Sequence, residues 1–236
     1  MVDAIVLAGG LGTRLAQTIP LLPKALAPIR GIPFLHLLLT QIANSKIAST
    51  IVMALGHKAS SIENFIEIQG PLSIPIQYST EKFPLGTGGA VLYALPKTKS
   101  STLLILNGDT FFDLPFEDFY NFHIQQKSSL TIACRYSSDC SRYGEILFDP
   151  SHRILQFTEK SRDAKGGWIS GGIYLIQREL FDPFSSGTYS LENDFFPQFL
   201  KKGAFAYPHA GAFIDIGTPV SYEEAQNILQ PWIPSI

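Results

Sequence analysis

Short, continuous apolar segments alternate with amphipathic segments over the first 136 residues, and this alternation constrains the fold more than any other feature of the sequence. The apolar segments lie at Ala4–Leu7, Thr50–Leu55, Ile74–Tyr78, Thr102–Leu106 and Leu130–Arg135. Segments with helical periodicity lie among them, at Pro33–Ile47, Ser60–Ile68, Gly88–Leu95 and Phe116–Gln126. Continuous apolar strands separated by helices predict a parallel sheet that is covered on both faces. We therefore predict a Rossmann-like α/β fold, with a mostly parallel sheet and helices on both faces.

Glycine residues interrupt the strand-like segments after Tyr136, which indicates a different arrangement in the C-terminal half. The predicted elements of this half are strands at Gly144–Phe148, Ile154–Glu159 and Trp168–Ile176, a short helix at Arg178–Phe184, a strand at Ala212–Asp215 and a helix at Pro219–Leu229. The first three strands predict a small antiparallel extension of the sheet. The sequence shows no internal repeat, low-complexity tract or linker, so we predict a single domain over residues 1–236.

Composition and charge exclude several classes of function. The formal net charge is -2 and Lys and Arg are not clustered, whereas sequence-independent binding of nucleic acid requires a basic surface. The two cysteines, Cys134 and Cys140, are too few for a disulfide framework. Asp3 stands where a signal peptide carries basic residues, and the largely apolar run Phe34–Leu39 is shorter than the ~20 residues that cross a bilayer. We therefore expect a soluble, cytoplasmic protein that binds neither a membrane nor nucleic acid.

A glycine-rich loop follows the first predicted strand. Residues 7–15 read Leu-Ala-Gly-Gly-Leu-Gly-Thr-Arg-Leu, which places three glycines and Arg14 where ligands bind in open α/β sheets. Backbone amides that carry no side chain can approach phosphates closely, and Arg14 can add a forked, permanently charged contact. The loop fits neither the dinucleotide fingerprint, which would need glycine at Leu15, nor the Walker sequence. It indicates a triphosphate-binding loop, and the alternative is a simple tight turn.

This loop and the Leu-Pro-Lys-Ala-Leu segment at residues 22–26 resemble the signature of the sugar-phosphate nucleotidyltransferases. The departure is Ala25, where the family often has proline. The resemblance continues through Pro-Leu-Gly-Thr-Gly-Gly-Ala at 84–90, Leu-Asn-Gly-Asp at 106–109, Phe-Thr-Glu-Lys at 157–160, Ser-Gly-Gly at 170–172 and Phe-Ile-Asp-Ile-Gly-Thr-Pro at 213–219. These motifs span most of the chain in the expected order. Within the family, the segments at 84–90 and 213–219 most resemble the D-glycero-D-manno-heptose 1-phosphate guanylyltransferases.

The resemblance implies a magnesium-dependent enzyme that joins a nucleoside triphosphate to a sugar 1-phosphate, giving a nucleotide-sugar and pyrophosphate. It favours GTP and a manno-heptose 1-phosphate, and a product that supplies lipopolysaccharide or another surface glycan. Uridylyl or thymidylyl transfer to another sugar 1-phosphate is an alternative, as is a non-catalytic subunit that senses nucleotide-sugars. Residues 1–136 would form mainly the nucleotide-binding half and residues 137–236 mainly the sugar-binding half. The sequence leaves homo-oligomer formation open.

The resemblance also assigns roles to individual residues. The catalytic set is Arg14, Lys24 and Asp109. The predicted nucleotide-binding residues are Leu7, Ala8, Gly9, Gly10, Gly12, Thr13, Arg14, Leu85, Gly86, Thr87, Gly88, Asn107 and Gly108. The predicted sugar-phosphate site comprises Gly144, Glu159, Lys160, Gly171 and Gly172, with Tyr143 beside it.

Two carboxylates are the predicted magnesium ligands. Asp109 and Asp215 each follow an apolar strand, and magnesium is commonly held by one or two carboxylates together with substrate phosphates. The alternative is that each aspartate only turns the chain or caps the next element. A glycosyltransferase could share this architecture, but such enzymes usually carry Asp-x-Asp at the metal strand, whereas residues 107–109 read Asn-Gly-Asp.

Overall fold

The computed structural model describes residues 1–70, 72–158 and 166–234. Its strands are β1 (Val2–Leu7), β2 (Pro28–Ile29), β3 (Ile32–Pro33), β4 (Ala48–Leu55), β5 (Ile76–Thr80), β6 (Thr102–Asn107), β7 (Thr110–Phe112), β8 (Leu130–Ser137), β9 (Glu145–Phe148), β10 (Ile154–Thr158), β11 (Gly167–Gln177), β12 (Ala204–Pro208) and β13 (Phe213–Asp215). Its α-helices are α1 (Phe34–Asn44), α2 (Ala59–Gln69), α3 (Gly86–Ala94), α4 (Phe116–Gln125), α5 (Phe196–Phe199) and α6 (Pro219–Ile228). A π-helical turn, Leu191–Phe195, leads directly into α5.

One large sheet organises the molecule. Its strand order is β10-β9-β11-β6-β1-β4-β5, with β8 paired to β11 and β12 paired to β8. The pairs β1–β4, β1–β6 and β4–β5 are parallel, whereas β11 runs antiparallel to β6. The chain leaves β1 towards β4 and β5 on one side and returns to β6 on the other. This reversal makes the carboxyl ends of β1 and β6 a topological switch point, where α/β proteins bind ligands.

Helices and aromatic side chains cover both faces of the sheet. Along β1, Ala4 and Val6 face a core beneath α1 and α2, and Ile5 faces the opposite core, which contains Val91 of α3. A third core packs Leu15 of the glycine loop against side chains from α1, β7, β13 and α6. The predicted α/β fold is therefore confirmed, and the glycine loop is anchored to the C-terminal elements.

One prediction for the C-terminal half needs correction. The segment predicted as a helix, Arg178–Phe184, is a single 3-10 turn at Arg178–Phe181, since the chain turns again at Asp182. The predicted antiparallel extension is confirmed, and it is organised around β11. The long strand β11 lies inside the main sheet and pairs with β6, β8 and β9. The strands β7 and β12 and the hairpin β2–β3 were not predicted.

The ribbon of β7 and β13 brings two distant parts of the chain together. Asp215 pairs with Thr110, and the Ile216 amide donates to the Asp109 carbonyl at 2.9 Å. The helix α6 begins directly after this ribbon because Thr218 caps it in a reciprocal capping box with Ser221, and Pro219 occupies its first turn. Asp215 is therefore held between a paired strand and a capped helix. None of the helices in residues 1–70, 72–158 and 166–234 has the length and hydropathy of a membrane-spanning segment.

Candidate active site

An open cleft of about 400 Å³ lies at the switch point between β1 and β6. The predicted site residues that line it are Leu7, Ala8, Gly9, Gly10, Gly12, Thr13, Arg14, Lys24, Gly86, Thr87, Asn107, Gly108 and Asp109. Glu81 and Gly217, which were not predicted, line it as well. The structure thus brings together most of the predicted nucleotide-binding residues and the whole predicted catalytic set.

The glycine loop turns back over the cleft at Gly12. This residue has a φ of +61°, and a Cβ built on it would lie 3.1 Å from Cβ of Lys24. Its carbonyl accepts from the amides of Leu15 and Ala16 at 3.1 and 3.0 Å, while the Leu15 side chain is fully buried. The turn therefore leaves Arg14 exposed beside the cleft and Lys24 packed against the loop.

Lys24 and Asp109 form an ion pair across the cleft. Lys24 lies in a 3-10 turn, Lys24–Leu26, and Asp109 lies between β6 and β7. The Lys24 ammonium donates to Asp109 Oδ2, and the Thr110 hydroxyl donates to Asp109 Oδ1 at 3.1 Å. The predicted catalytic cation and the predicted metal carboxylate are therefore direct neighbours.

Asp215 is enclosed by hydrogen-bond donors. Arg142 Nη2 donates to both carboxylate oxygens, at 2.9 Å for Oδ1 and 2.8 Å for Oδ2. The Tyr143 hydroxyl donates to Oδ2, and the Gly217 amide donates to Oδ1 at 2.9 Å. Burial and the Asp215 carboxylate both raise the pKa of Tyr143, so its hydroxyl remains a donor at neutral pH.

Gly217 is the point on which the charged groups converge. A Cβ built on Gly217 would lie 2.5 Å from Asp215 Oδ1, 3.4 Å from Lys24 Nζ and 3.7 Å from Arg14 Nη2. Arg14, Lys24 and Asp215 therefore surround one small volume beside Gly217, and Asp109 joins them through its ion pair with Lys24. Such a cluster is suited to bind a polyphosphate and to neutralise charge on it.

The carboxylate oxygens of Asp109 and Asp215 are chemically suited to a hard divalent cation that is also coordinated by substrate. Asp109 and Asp215 supply oxygen ligands, which Mg²⁺ prefers. No group of three or more His, Cys, Asp or Glu side chains in the described ranges could hold a metal ion. A cation here would complete its coordination with substrate phosphates and water, as Mg²⁺ usually does.

The sequence of residues 3–231 matches the nucleotidyl transferase family. The chain belongs to this family. It is 37% identical to a D-glycero-alpha-D-manno-heptose 1-phosphate guanylyltransferase of Aneurinibacillus thermoaerophilus, over 98% of this chain and 100% of that protein. It is 36% identical to the protein of the same name from Campylobacter jejuni, over 93% of this chain and 96% of the relative. Members of the family generally use a divalent metal ion.

Solved structures agree with this assignment. HddC from Yersinia pseudotuberculosis complexed with GMP-PN superimposes on this nucleotidyl transferase with a TM-score of 0.86 and 31% identity, covering 98% of this chain and 100% of HddC. A Bacillus anthracis protein described as a putative glucose-1-phosphate thymidylyltransferase gives a TM-score of 0.87 at 20% identity, covering 100% of this chain and 98% of the other. The second match supports the fold alone.

Glu81 is a cleft residue of this nucleotidyl transferase that sequence reasoning missed. Its amide donates to the Leu55 carbonyl at 2.9 Å, which fixes it at the end of β5. Its Oε2 accepts from the Leu85 amide at 3.2 Å, and burial raises the pKa of its carboxyl. Its Oε1 lies 3.3 and 2.9 Å from Cβ atoms built on Gly9 and Gly56. A polar residue at the carboxyl end of a parallel strand is a candidate site residue. Glu81 was missed because that strand was predicted to end at Tyr78.

The glycines at the start of α3 make close contacts with a neighbouring segment. The amides of Gly88 and Gly89 donate to the Tyr189 carbonyl at 2.8 and 3.2 Å, and a Cβ on Gly86 would lie 2.4 Å from the same oxygen. The Leu85 carbonyl accepts from the Tyr189 amide at 2.9 Å. Leu85 and Gly88 thus support this wall of the cleft, while Gly86 and Thr87 line it.

The predicted sugar-side glycines lie on β11 and beside β9. Cβ atoms built on Gly171 and Gly144 would lie 2.5 Å from Phe112 and 2.4 Å from Phe157. Gly172 has a φ of +70°, and a Cβ built on it would lie 2.9 Å from the side-chain amide nitrogen of Asn107. These glycines allow aromatic and polar neighbours to approach β11. The predicted residues Glu159 and Lys160 lie outside the described residues.

Arg142 was not predicted as a site residue, and the hydrogen bond from Tyr143 to Asp215 was not foreseen. The predicted site residue Gly144 directly follows Arg142 and Tyr143 in the sequence, so its position could have indicated that they belong to the site. The contact between Arg142 and Asp215 joins residues 73 positions apart, so no local sequence pattern predicts it. The site therefore contains a second basic–acidic pair beside Lys24–Asp109.

Proposed function

We propose that this nucleotidyl transferase is a guanylyltransferase that joins GTP to D-glycero-D-manno-heptose 1-phosphate, giving a GDP-sugar and pyrophosphate. The reaction type is supported by the convergence of Arg14, Lys24 and Asp215 on Gly217, together with the ion pair between Lys24 and Asp109. The names of the two bacterial relatives support the substrates. The chain would act in the cytoplasm, where nucleoside triphosphates are available, and its product would be a precursor of a surface glycan.

The proposed chemistry is in-line attack of a sugar-phosphate oxygen on the α-phosphorus of GTP, with pyrophosphate as leaving group. The attacking oxygen is already anionic, so no general base is required, and catalysis depends on positioning and charge neutralisation. Arg14 would bind the β- and γ-phosphates, and Lys24 would bind near the α-phosphate. Asp109 and Asp215 would hold Mg²⁺, which neutralises phosphate charge when bound.

The two halves of the chain would share the substrates. Residues 1–136 would bind mainly the nucleotide, through the glycine loop and the Leu85–Gly88 and Asn107–Gly108 segments. Residues 137–236 would bind mainly the sugar phosphate. Gly144, Gly171 and Gly172 would shape the sugar side of the site, and Glu159 and Lys160 would anchor the sugar phosphate.

The choice of guanine is supported by Glu81. Guanine presents two adjacent donors, N1–H and the 2-amino group, whereas uracil and thymine present one N–H between two carbonyl oxygens. A carboxylate accepts from adjacent donors and repels carbonyl oxygens. The Glu81 carboxylate beside Gly9 and Gly56 therefore suits guanine and disfavours uracil and thymine.

A substrate panel tests the proposal. GTP, UTP, CTP and dTTP would each be offered with the heptose 1-phosphate and with mannose 1-phosphate, and pyrophosphate release would be measured with Mg²⁺ and with a chelator. We expect the highest kcat/KM for GTP with the heptose 1-phosphate. We expect no release of pyrophosphate when the chelator is present. Robust turnover with UTP and none with GTP would contradict guanylyl transfer.

A further inference from the structure

The hydrogen bonds around Asp215 leave little room for another ligand. A carboxylate has about four acceptor positions on its two oxygens. Four hydrogen bonds reach Asp215, two from Arg142 Nη2 and one each from Tyr143 and Gly217. If Asp215 is to bind a divalent cation, at least one donor must move away.

Arg142 is the donor that is free to move. The Gly217 amide belongs to the backbone between β13 and the capped helix α6. The Tyr143 ring packs edge-on against Phe213 of β13, with ring centroids 5.5 Å apart. Arg142, by contrast, exposes 36% of its side chain, and its guanidinium otherwise contacts the Tyr143 ring at 5.5 Å and the Ser221 hydroxyl at 3.4 Å.

A phosphate is the ligand that would draw Arg142 from Asp215. Arginine binds phosphate oxygens with two parallel hydrogen bonds, and a phosphate dianion attracts it more strongly than a single carboxylate does. Asp215 lies beside Lys24 and Arg14 at Gly217, so phosphates bound there would come within reach of Arg142.

We propose that Arg142 is a substrate-phosphate ligand that rests on Asp215 when no substrate is bound, and that its transfer to phosphate frees Asp215 for the divalent cation. The proposal rests on the proposed function for the identity of the substrates. Its consequence is positive coupling between the phosphate ligand and the metal. Each would bind more tightly in the presence of the other, beyond any direct contact between them.

Metal binding measures this coupling without turnover. Free Mn²⁺ would be titrated by electron paramagnetic resonance against the protein alone, with the heptose 1-phosphate, and with a non-hydrolysable GTP analogue, each corrected for Mn²⁺ bound by that ligand in solution. In the unchanged protein we expect at least one ligand to raise Mn²⁺ affinity about tenfold, a typical coupling factor. In Arg142→Gln the protein alone should bind Mn²⁺ more tightly, and the same ligand should raise its affinity less than twofold.

Two further variants separate this role from a structural one. Arg153→Gln removes an exposed arginine and should leave both affinity and coupling unchanged. Tyr143→Phe removes a fixed donor and should leave the coupling factor intact. The ligand whose coupling disappears in Arg142→Gln is the phosphate source.

The proposal is overturned if Arg142→Gln folds, binds Mn²⁺ no more tightly than the unchanged protein, and keeps the full coupling with both ligands. It is also overturned if the unchanged protein shows no coupling with either ligand. Failure of guanylyl transfer with the heptose would leave the measurement with the GTP analogue valid, so the two proposals fail separately.

Discussion

Asp109 and Asp215 each pair with a basic side chain, but the buried partner differs between the pairs. Lys24 exposes 15% of its side chain and Asp109 exposes 39%, whereas Arg142 exposes 36% and Asp215 exposes 15%. In the first pair the lysine is the more buried member, and the carboxylate is exposed to the cleft. In the second pair the carboxylate is the more buried member, and the arginine is the more exposed. Two chemically similar ion pairs can therefore offer ligands opposite charges.

The strongest test of the Lys24–Asp109 pair is Asp109→Asn, because this carboxylate is the open member and lines the cleft. We expect kcat/KM to fall by about 10²–10³, the usual cost of losing an electrostatic contact made in the transition state. The melting temperature should stay almost unchanged, since the amide oxygen can still accept from Lys24. Turnover close to that of the unchanged protein, with Mg²⁺ subsaturating, would remove Asp109 from the metal site.

For Asp215→Asn we expect a smaller loss of kcat/KM, about 10²-fold, together with a loss of stability. An asparagine oxygen cannot accept all the donors that surround this position, and its NH₂ group would face one of them. An unsatisfied partly buried donor costs about 1 kcal/mol in the free energy of unfolding. Chemical denaturation would measure it, with Asp109→Asn as the matched control. Equal stability in the two variants would refute the contrast between enclosed and open carboxylates.

The two pairs also differ in how far the sequence could predict them. Asp109 and Lys24 both belong to recognisable motifs that the family resemblance assigns to one site, and Asp109 follows a parallel strand beside β1, where the glycine loop begins. The Arg142–Asp215 contact depends on the path of the loop between β8 and β9 and on the unpredicted ribbon of β7 and β13. Strand periodicity fixes neither, because a loop path and the pairing of three-residue strands are determined by tertiary contacts.

Glu81 lines the same cleft as the Lys24–Asp109 pair. We expect Glu81→Gln to alter the selection of the base more than the rate of the chemical step. A hydrogen bond to a charged group contributes about 1.5–3 kcal/mol, so kcat/KM for GTP should fall about 10–100-fold, mainly through KM. The preference for GTP over inosine triphosphate, which lacks the 2-amino group, should also shrink. The matched control is Glu63→Gln, in helix α2, whose carboxylate accepts from the Thr80 hydroxyl at the end of β5. An unchanged preference would exclude Glu81 from guanine recognition.

The pH dependence of GTP binding sharpens the same test. Burial raises the pKa of the Glu81 carboxyl above its ordinary value of 4.5. Only the ionised carboxylate accepts both guanine donors, so the KM for GTP should rise as the pH falls through this raised pKa. The rise should begin at a higher pH than for an ordinary glutamate, and it should disappear in Glu81→Gln. A KM profile of the same shape in both proteins would assign the titration to another group.

The smallest expected effect is that of Tyr143→Phe, which removes one donor from Asp215 and leaves its charge and Arg142 in place. If Asp215 is held mainly by Arg142 and Gly217, the loss of the hydrogen bond by which Tyr143 positions the carboxylate costs about 0.5–1.5 kcal/mol, so metal affinity and kcat/KM should each fall about two- to tenfold. The aromatic contact with Phe213 survives, so the ring stays in position. Mn²⁺ titration and steady-state kinetics would measure the change, and Tyr136→Phe, an exposed tyrosine on β8, is the matched control. A loss as large as that of Asp215→Asn would mean that the tyrosine, and not the arginine, determines how Asp215 is presented to the metal.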